Sequence, residues 1–195
     1  MSDSYQAIVD LEATPGDAEA LARRVVERLS VEGLIMPSLD PGAVLGGSGG
    51  YRPGRRICEL YRGSPADLYF LTLVANGMEV NTGQWVNELG FLFVEDYTCP
   101  RCAAQFPEDH AVAEQFYDAV SQFYGGVSRP VITCPRCLIG SAVQEWRSSN
   151  HLGFAHLAFG FWNWPPLDSA AWAVDIPRLL SEVLGHEVVL TQGRL

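Results

Sequence analysis

The sequence contains no lysine: all 13 basic residues among its 195 are arginine, set against 23 acids for a formal charge of −10. That absence excludes a Walker-A phosphate loop, the protein-kinase fold with its phosphate-binding lysine, and any chemistry that passes through a lysine Schiff base. Long apolar runs are also missing. Leu68 to Ala75 and Leu152 to Trp162 are too short or too broken to span a bilayer. The first residues, Met1-Ser-Asp-Ser-Tyr-Gln, have neither a basic n-region nor an apolar h-region, so no secretory signal is expected and a cytoplasmic location is. Spacings of the His-Glu-x-x-His, His-x-x-x-His or Gly-x-Ser-x-Gly kind do not occur, which removes the usual signatures of an open catalytic metal site and of a serine nucleophile elbow.

What is present is an ordinary globular composition, 48% hydrophobic and 18% charged, long enough for one core or one core with a satellite. Charge is uneven. Residues 1–50 carry eight acids and three arginines, and residues 67–98 carry five acids and no base. Between them, Arg52, Arg55, Arg56 and Arg62 face only Glu59. So acidic a chain repels phosphate backbones over most of its surface, which disfavours general nucleic-acid binding.

The strongest signal is Cys99-Pro-Arg-Cys102, repeated as Cys134-Pro-Arg-Cys137. Two cysteines separated by two residues turn both sulfurs to one side of a tight loop, and proline pre-sets φ for that turn. Following backbone N–H groups can donate to the sulfurs. Four soft thiolates suit Zn²⁺, with iron the chemical alternative. The pair resembles the knuckles of zinc-ribbon and rubredoxin-like sites, a resemblance confined to residues 99–137. It implies a structural metal, because four cysteines leave no position for water. With metal bound to four thiolates the formal charge becomes −12. Two departures stand out. The 31 residues between the knuckles exceed the compact spacing of about 15–20, which an inserted helix explains. Zinc knuckles also often place glycine directly after the second cysteine; Ala103 and Leu138 stand there, predicting at least one less regular knuckle. The fifth cysteine, Cys58, reads as a small buried hydrophobe, or else as a thiol activated by Arg55 and Arg56.

Apolar periodicity predicts a strand over 5–11 and then a helix opened by Thr14-Pro15-Gly16-Asp17 and closed by Gly33. A short helix is expected from Ser64-Pro65 to Asn76-Gly77, strands over 78–87 and 90–98, and a helix opened by Pro107 and stopped at Gly125-Gly126. Residues 153–164 read as a central strand apolar on both faces, followed by a helix capped by Asp175 and a closing strand. These elements predict an α+β protein: a mixed sheet with packed helices and an inserted zinc-ribbon-like module. The expected parts are residues 1–98, a metal module at 99–137, and a strand–helix–strand unit at 138–195 that completes one body.

Beyond the cysteines, the glycine-rich run Gly46 to Gly50 followed by Tyr51, Arg52, Arg55 and Arg56 is a candidate anion or small-ligand site, since backbone N–H groups and guanidiniums favour anions. Of the four histidines, His151 and His156 flank the aromatic strand and are the better catalytic candidates; His110 and His186 read as solvated or dipole-stabilised. Trp162-Asn163-Trp164 could stack a base or sugar, though a core role for the tryptophans is the simpler reading. Three functions follow: a binding or accessory protein with a protein or small-molecule partner, of which an acidic inhibitor or immunity protein is one version; an enzyme combining the 46–56 loop with a histidine; and a nucleic-acid binder using Arg101 and Arg136.

Overall fold

The computed structural model describes residues 3–46 and 49–195; within the glycine-rich run, Gly47 and Ser48 lie outside the described residues. The chain opens with β1 (Ser4–Asp10) and α1 (Ala18–Glu32). Asp17 Oδ1 accepts from the Thr14 N–H at 2.7 Å, half of the expected capping box, and Gly33 ends the helix at φ 74°, a left-handed conformation that glycine adopts at least cost. Next come β2 (Ile35–Asp40), β3 (Gly50–Pro53) and the single turn α2 (Ile57–Leu60).

Three boundaries differ from expectation. Ser64 and Asp67 form the reciprocal capping box, but the segment they open is a 3₁₀ helix, Pro65–Thr72, that stops short of Asn76-Gly77. Asn76 is the reason: its amide donates to the carbonyls of Phe70 and Leu71, the acceptors that a continuing helix would need. β4 (Met78–Trp85) follows as expected, whereas 90–98 is not one strand. Its first part is 3₁₀, Glu88–Phe93, because Gly90 sits against Asn87 and its carbonyl accepts from Asn150. Only β5 (Asp96–Thr98) is extended. Pro107 does not open a helix either. It ends β6 (Gln105–Pro107), which folds back on β5, and α3 begins at Val112 and runs to Tyr124.

β7 (Val131–Thr133), β8 (Gly140–Ala142) and β9 (Arg147–Ser148) come next, the last two without a counterpart in the sequence reading; β10 (Ala155–Trp162), α4 (Ile176–Leu184) capped by Asp175, and β11 (Val188–Arg194) follow as expected. The α+β class is as read from the sequence, and the strand pairings are antiparallel. Six strands form the main sheet in the order β11-β1-β10-β4-β3-β2. β10 lies inside it and is buried on both faces, as its unbroken apolar run requires. Ile8, Leu157, Phe159 and Phe161 meet α1 and α4 on one face; Tyr5, Ala7, Val9, Ala158 and Trp162 form the opposite face. Burying each such large apolar side chain contributes about 1.5–3 kcal/mol.

A second core gathers residues between Val86 and Phe154, the stretch that connects the neighbouring strands β4 and β10. Tyr97, Phe116 and Trp146 form its aromatic centre, Tyr97 stacking on Phe116 at 4.3 Å. A buried polar network ties it to the main sheet. The Asn150 side chain accepts from the N–H of Gln192 and donates to its carbonyl, so it stands in for a neighbouring strand on the free edge of β11. Asn87 and Thr191 complete the network.

His186, expected to be favoured by the dipole at the helix C-terminus, pairs with the fully buried Asp10, Nδ1 to Oδ2 at 2.8 Å. The other Asp10 oxygen accepts from the N–H groups of Glu12 and Ala13. Hydrogen bonding to Asp10 raises the His186 pKa above its ordinary value. A raised folded pKa means stability that is fully present below the ordinary histidine range and lost as pH rises through the folded value. The melting temperature of wild type should therefore exceed that of His186→Asn by most at about pH 5.5–6, with the gap shrinking towards about pH 9. A gap that is constant across that range would contradict the ion pair.

Candidate metal centre

The two Cys-Pro-Arg-Cys segments are the tips of two hairpins built alike. In the first, β5 and β6 pair with Thr98 opposite Gln105; in the second, β7 and β8 pair with Thr133 opposite Gly140, each position shifted by the same 35 residues. The Cys99 N–H donates to the Ala104 carbonyl at 2.9 Å and the Ala103 N–H to the Cys99 carbonyl at 3.0 Å. In the second hairpin, Cys134 N–H to Ile139 carbonyl and Leu138 N–H to Cys134 carbonyl measure 3.1 and 2.8 Å.

The expectation of an irregular knuckle is corrected here. Ala103 and Leu138 adopt φ 54° and 59°, the left-handed conformation that glycine would supply, so both loops close the same way without it. The residue type was a poor guide because hairpin closure dictates the backbone and a side chain can be forced to comply.

The four sulfurs lie within 4.8 Å of one another. Cys99 Sγ is 3.9 Å from Cys137 Sγ, and Cys102 Sγ is 3.8 Å from Cys134 Sγ, so the close pairs link one hairpin to the other. A tetrahedral ion with metal–sulfur bonds of about 2.3 Å has edges of about 3.8 Å. The donor set and its spacing therefore fit a metal ion. Cys99 and Cys134 are buried, while Cys102 and Cys137 are half-buried. The Arg101 N–H points at Cys99 Sγ from 3.4 Å. Its guanidinium crosses to the second hairpin, donating to Ser141 Oγ at 3.0 Å and to Glu145 at 2.8 Å, where Arg129 also binds.

Left as thiols, the four groups compete for protons. The Cys102 thiol is pushed up to about 11: the Ala104 N–H lowers it, but burial and the other three sulfurs raise it more. Cys134 is drawn down to about 7: burial raises it, and the N–H groups of Cys137 and Arg136 together with the Cys99 and Cys137 thiols outweigh that. Such opposed shifts follow when four potential anions share one small volume, and a divalent cation lets all four ionise together.

The loop candidates are placed differently. Tyr51 is half-buried against the main core beside α1. Arg52 is engaged inside the fold, with Nε on Asp40 at 2.9 Å and Nη1 on Asn76 Oδ1 at 2.8 Å and on the Val74 carbonyl; Arg52 in turn holds the Asp40 carboxyl below the usual range. Arg56 pairs with Glu59 and caps the Glu32 carbonyl at the end of α1. Arg55 is exposed and makes no ion pair or hydrogen bond among the described residues. Cys58, read as buried, is exposed: in a single helical turn only Ile57 and Leu60 face inward.

His151 Nδ1 accepts from the Gly153 N–H at 2.9 Å, and burial lowers the pKa of its ring. His156 packs on Phe123 with ring centres 5.5 Å apart. Trp162 and Trp164 are both buried, on opposite faces of the main sheet. Asn163, between them at φ 59°, donates to Asp3 and to the Ala75 carbonyl and accepts from the Ser4 N–H.

The features sequence reasoning missed are the inter-hairpin role of Arg101 and the grip of Gln115 on β7. The Gln115 amide both donates to the Thr133 carbonyl and accepts from its N–H. Neither pairing leaves a local sequence signal, since each depends on how the hairpins stack.

Fold and site together define an α+β protein carrying a four-cysteine, two-knuckle centre that could hold a metal ion. Comparison with protein-family models, curated proteins and solved structures finds no match to the chain.

Replacing Ala103 with glycine relieves the left-handed strain, about 1–2 kcal/mol, against a glycine entropy cost of about 0.5–1 kcal/mol. Ala103→Gly should leave stability unchanged or raise it by about 1 kcal/mol, read from denaturant midpoints. A loss larger than about 1 kcal/mol would contradict the knuckle geometry.

Proposed function

We propose that this chain is a zinc-binding accessory protein that acts by binding a partner, with Zn²⁺ held structurally by Cys99, Cys102, Cys134 and Cys137. The observation that carries this reading is the cluster of four sulfurs at tetrahedral spacing. Four thiolates complete the coordination of Zn²⁺ and leave no position for a reactive water, so the ion contributes folding energy and not chemistry. Two cysteines of the four are buried inside the second core, which suits a structural staple. Iron accepts the same donors and geometry, and soft-ligand preference alone favours neither strongly. Five free cysteines support a reducing compartment, and so a cytoplasmic protein. No helix among the described residues is long and apolar enough to cross a membrane. A binding role is supported by how the candidate groups are engaged: His151 and His156 are taken up in packing, Arg52 pairs with Asp40, and Arg56 pairs with Glu59 at the surface.

Elemental analysis of protein purified under reducing conditions should find one zinc per chain, and zinc-edge absorption should find four sulfurs at about 2.3 Å. Iron in that position would keep the four-cysteine site and overturn zinc. Metal-free protein that does not take up zinc would overturn the reading altogether. Cys99→Ser should lose the metal and the near-ultraviolet signal of the second core, with a melting temperature at least several degrees lower; a variant that stays equally stable would show that the staple is not needed.

A further inference from the structure

The four cysteines of the metal centre differ in access, and they do so in pairs. Cys99 and Cys134 are covered, at 1% and 0% exposure, while Cys102 and Cys137 are partly open to solvent. The first cysteine of each knuckle is therefore covered and the second accessible. The sulfur contacts cross that division. Cys102 Sγ lies 3.8 Å from Cys134 Sγ, and Cys137 Sγ lies 3.9 Å from Cys99 Sγ. Each accessible sulfur thus faces the covered sulfur of the opposite hairpin.

An accessible sulfur meets a dissolved oxidant first, and here the sulfur that would resolve the product already touches it. A disulfide bond is about 2.05 Å long, so closing either pair takes about 1 Å from each sulfur, within reach of side-chain rotation. The knuckle backbones are meanwhile held by their own hydrogen bonds, from Ala103 N–H to the Cys99 carbonyl and from Leu138 N–H to the Cys134 carbonyl. Those bonds keep both sulfurs of a knuckle turned towards the other hairpin.

We propose that the centre is a modification site for hydroperoxides, at which Cys102 and Cys137 are oxidised and each then closes a disulfide with the covered cysteine opposite, giving Cys102–Cys134 and Cys99–Cys137. In the loaded site all four sulfurs are thiolates. Cys102 Sγ attacks one peroxide oxygen, the O–O bond breaks, and hydroxide (alkoxide from an organic hydroperoxide) leaves, so that Cys102 becomes a sulfenic acid. Cys134 Sγ attacks that sulfur, the S–O bond breaks, and hydroxide leaves as the S–S bond forms. Each disulfide takes two electrons from two thiolates and reduces one hydroperoxide. Cys137 and Cys99 react in the same way, after which no thiolate remains to hold an ion. The two disulfides join residues 32 and 38 apart and still tie hairpin to hairpin, whereas disulfides within the knuckles would leave the hairpins unlinked. Oxidation and chelation therefore both empty the site, but only oxidation leaves the second core stapled. The inference rests on the zinc reading in that a bound ion keeps the sulfurs as thiolates; which sulfurs pair follows from their positions.

The test treats full-length protein of measured zinc content with hydrogen peroxide, alkylates it, and digests it with trypsin without reduction. With no lysine in the chain, cleavage falls at arginine. Arg101 and Arg136 separate the cysteines of each knuckle and Pro130 protects Arg129, so residues 63–101, 102–136 and 137–147 carry the site. The expected products are 63–101 joined to 137–147, and 102–136 closed on itself. About one zinc should be released per two peroxides consumed, and thiol reduction should restore zinc binding. Oxidised protein should melt at least several degrees above reduced protein stripped by a chelator. Cys58→Ser should change none of these results, since Cys58 lies outside the cluster. One species joining all three peptides, as disulfides within the knuckles would give, would overturn the proposal. So would sulfinic acid in place of disulfides, zinc fully retained in excess peroxide, or an oxidised form no more stable than the chelated one. Protein that neither holds nor takes up zinc would overturn the zinc reading, and the same digest of that protein would still decide the pairing.

Discussion

Four sulfur atoms from two hairpins 35 residues apart converge within 4.8 Å, and much of the second core depends on that convergence. As thiols they hold the hairpins by contact alone, and as thiolates they repel. With a cation among them the same atoms become four bonds linking β5–β6 to β7–β8. The close sulfur pairs, Cys99 with Cys137 and Cys102 with Cys134, each span the two hairpins, so an ion bound there would couple one knuckle to the other. Arg101 adds a second, non-metal link from the first knuckle to Ser141 and Glu145 of the other.

That link explains why a stretch between two adjacent strands can carry a core of its own. β4 and β10 are neighbours in the main sheet, yet the chain between them makes an excursion that contains α3, both hairpins and the cluster around Tyr97, Phe116 and Trp146. A core of that size seldom holds by burial alone, which is why small units recruit metals or disulfides. α3 closes the excursion by packing Phe116, Ala119 and Phe123 inward while Gln115 grips β7. Asn87, Asn150 and Thr191 then fasten it to β11, each polar group satisfied by a partner, so the attachment is specific in register as well as in place.

Much of this was legible in the sequence because the signals are local. Gly33 and Asp175 mark helix ends by their own conformational preferences, and the run from Ala155 to Trp162 announces a strand covered on both faces. The convergence of the four cysteines was legible for the same reason, a repeated tetrapeptide with its own chemistry. The misplaced boundaries all involve an asparagine or a proline acting at a distance. Asn76 ends one 3₁₀ segment by taking its carbonyls; Asn87 and Asn150 shape another. Pro107 suits a helix start, yet here it closes a strand because the first hairpin folds back on itself. The shape of the knuckles was misjudged at Ala103 and Leu138, where long-range closure overrides the backbone preference of the residue. Arg52 shows the same limit for function: its sequence neighbourhood suggests an anion site, while tertiary contacts direct it to Asp40 and Asn76.

Residue-resolved hydrogen exchange before and after metal removal by a chelator tests the account most directly. With metal removed, the amides of 97–106 and 132–142 and of α3 should lose protection, while those of β1, β10 and β11 keep most of theirs. Protection in both hairpins that is unchanged by metal removal would contradict the claim that four shared sulfur ligands hold the second core together.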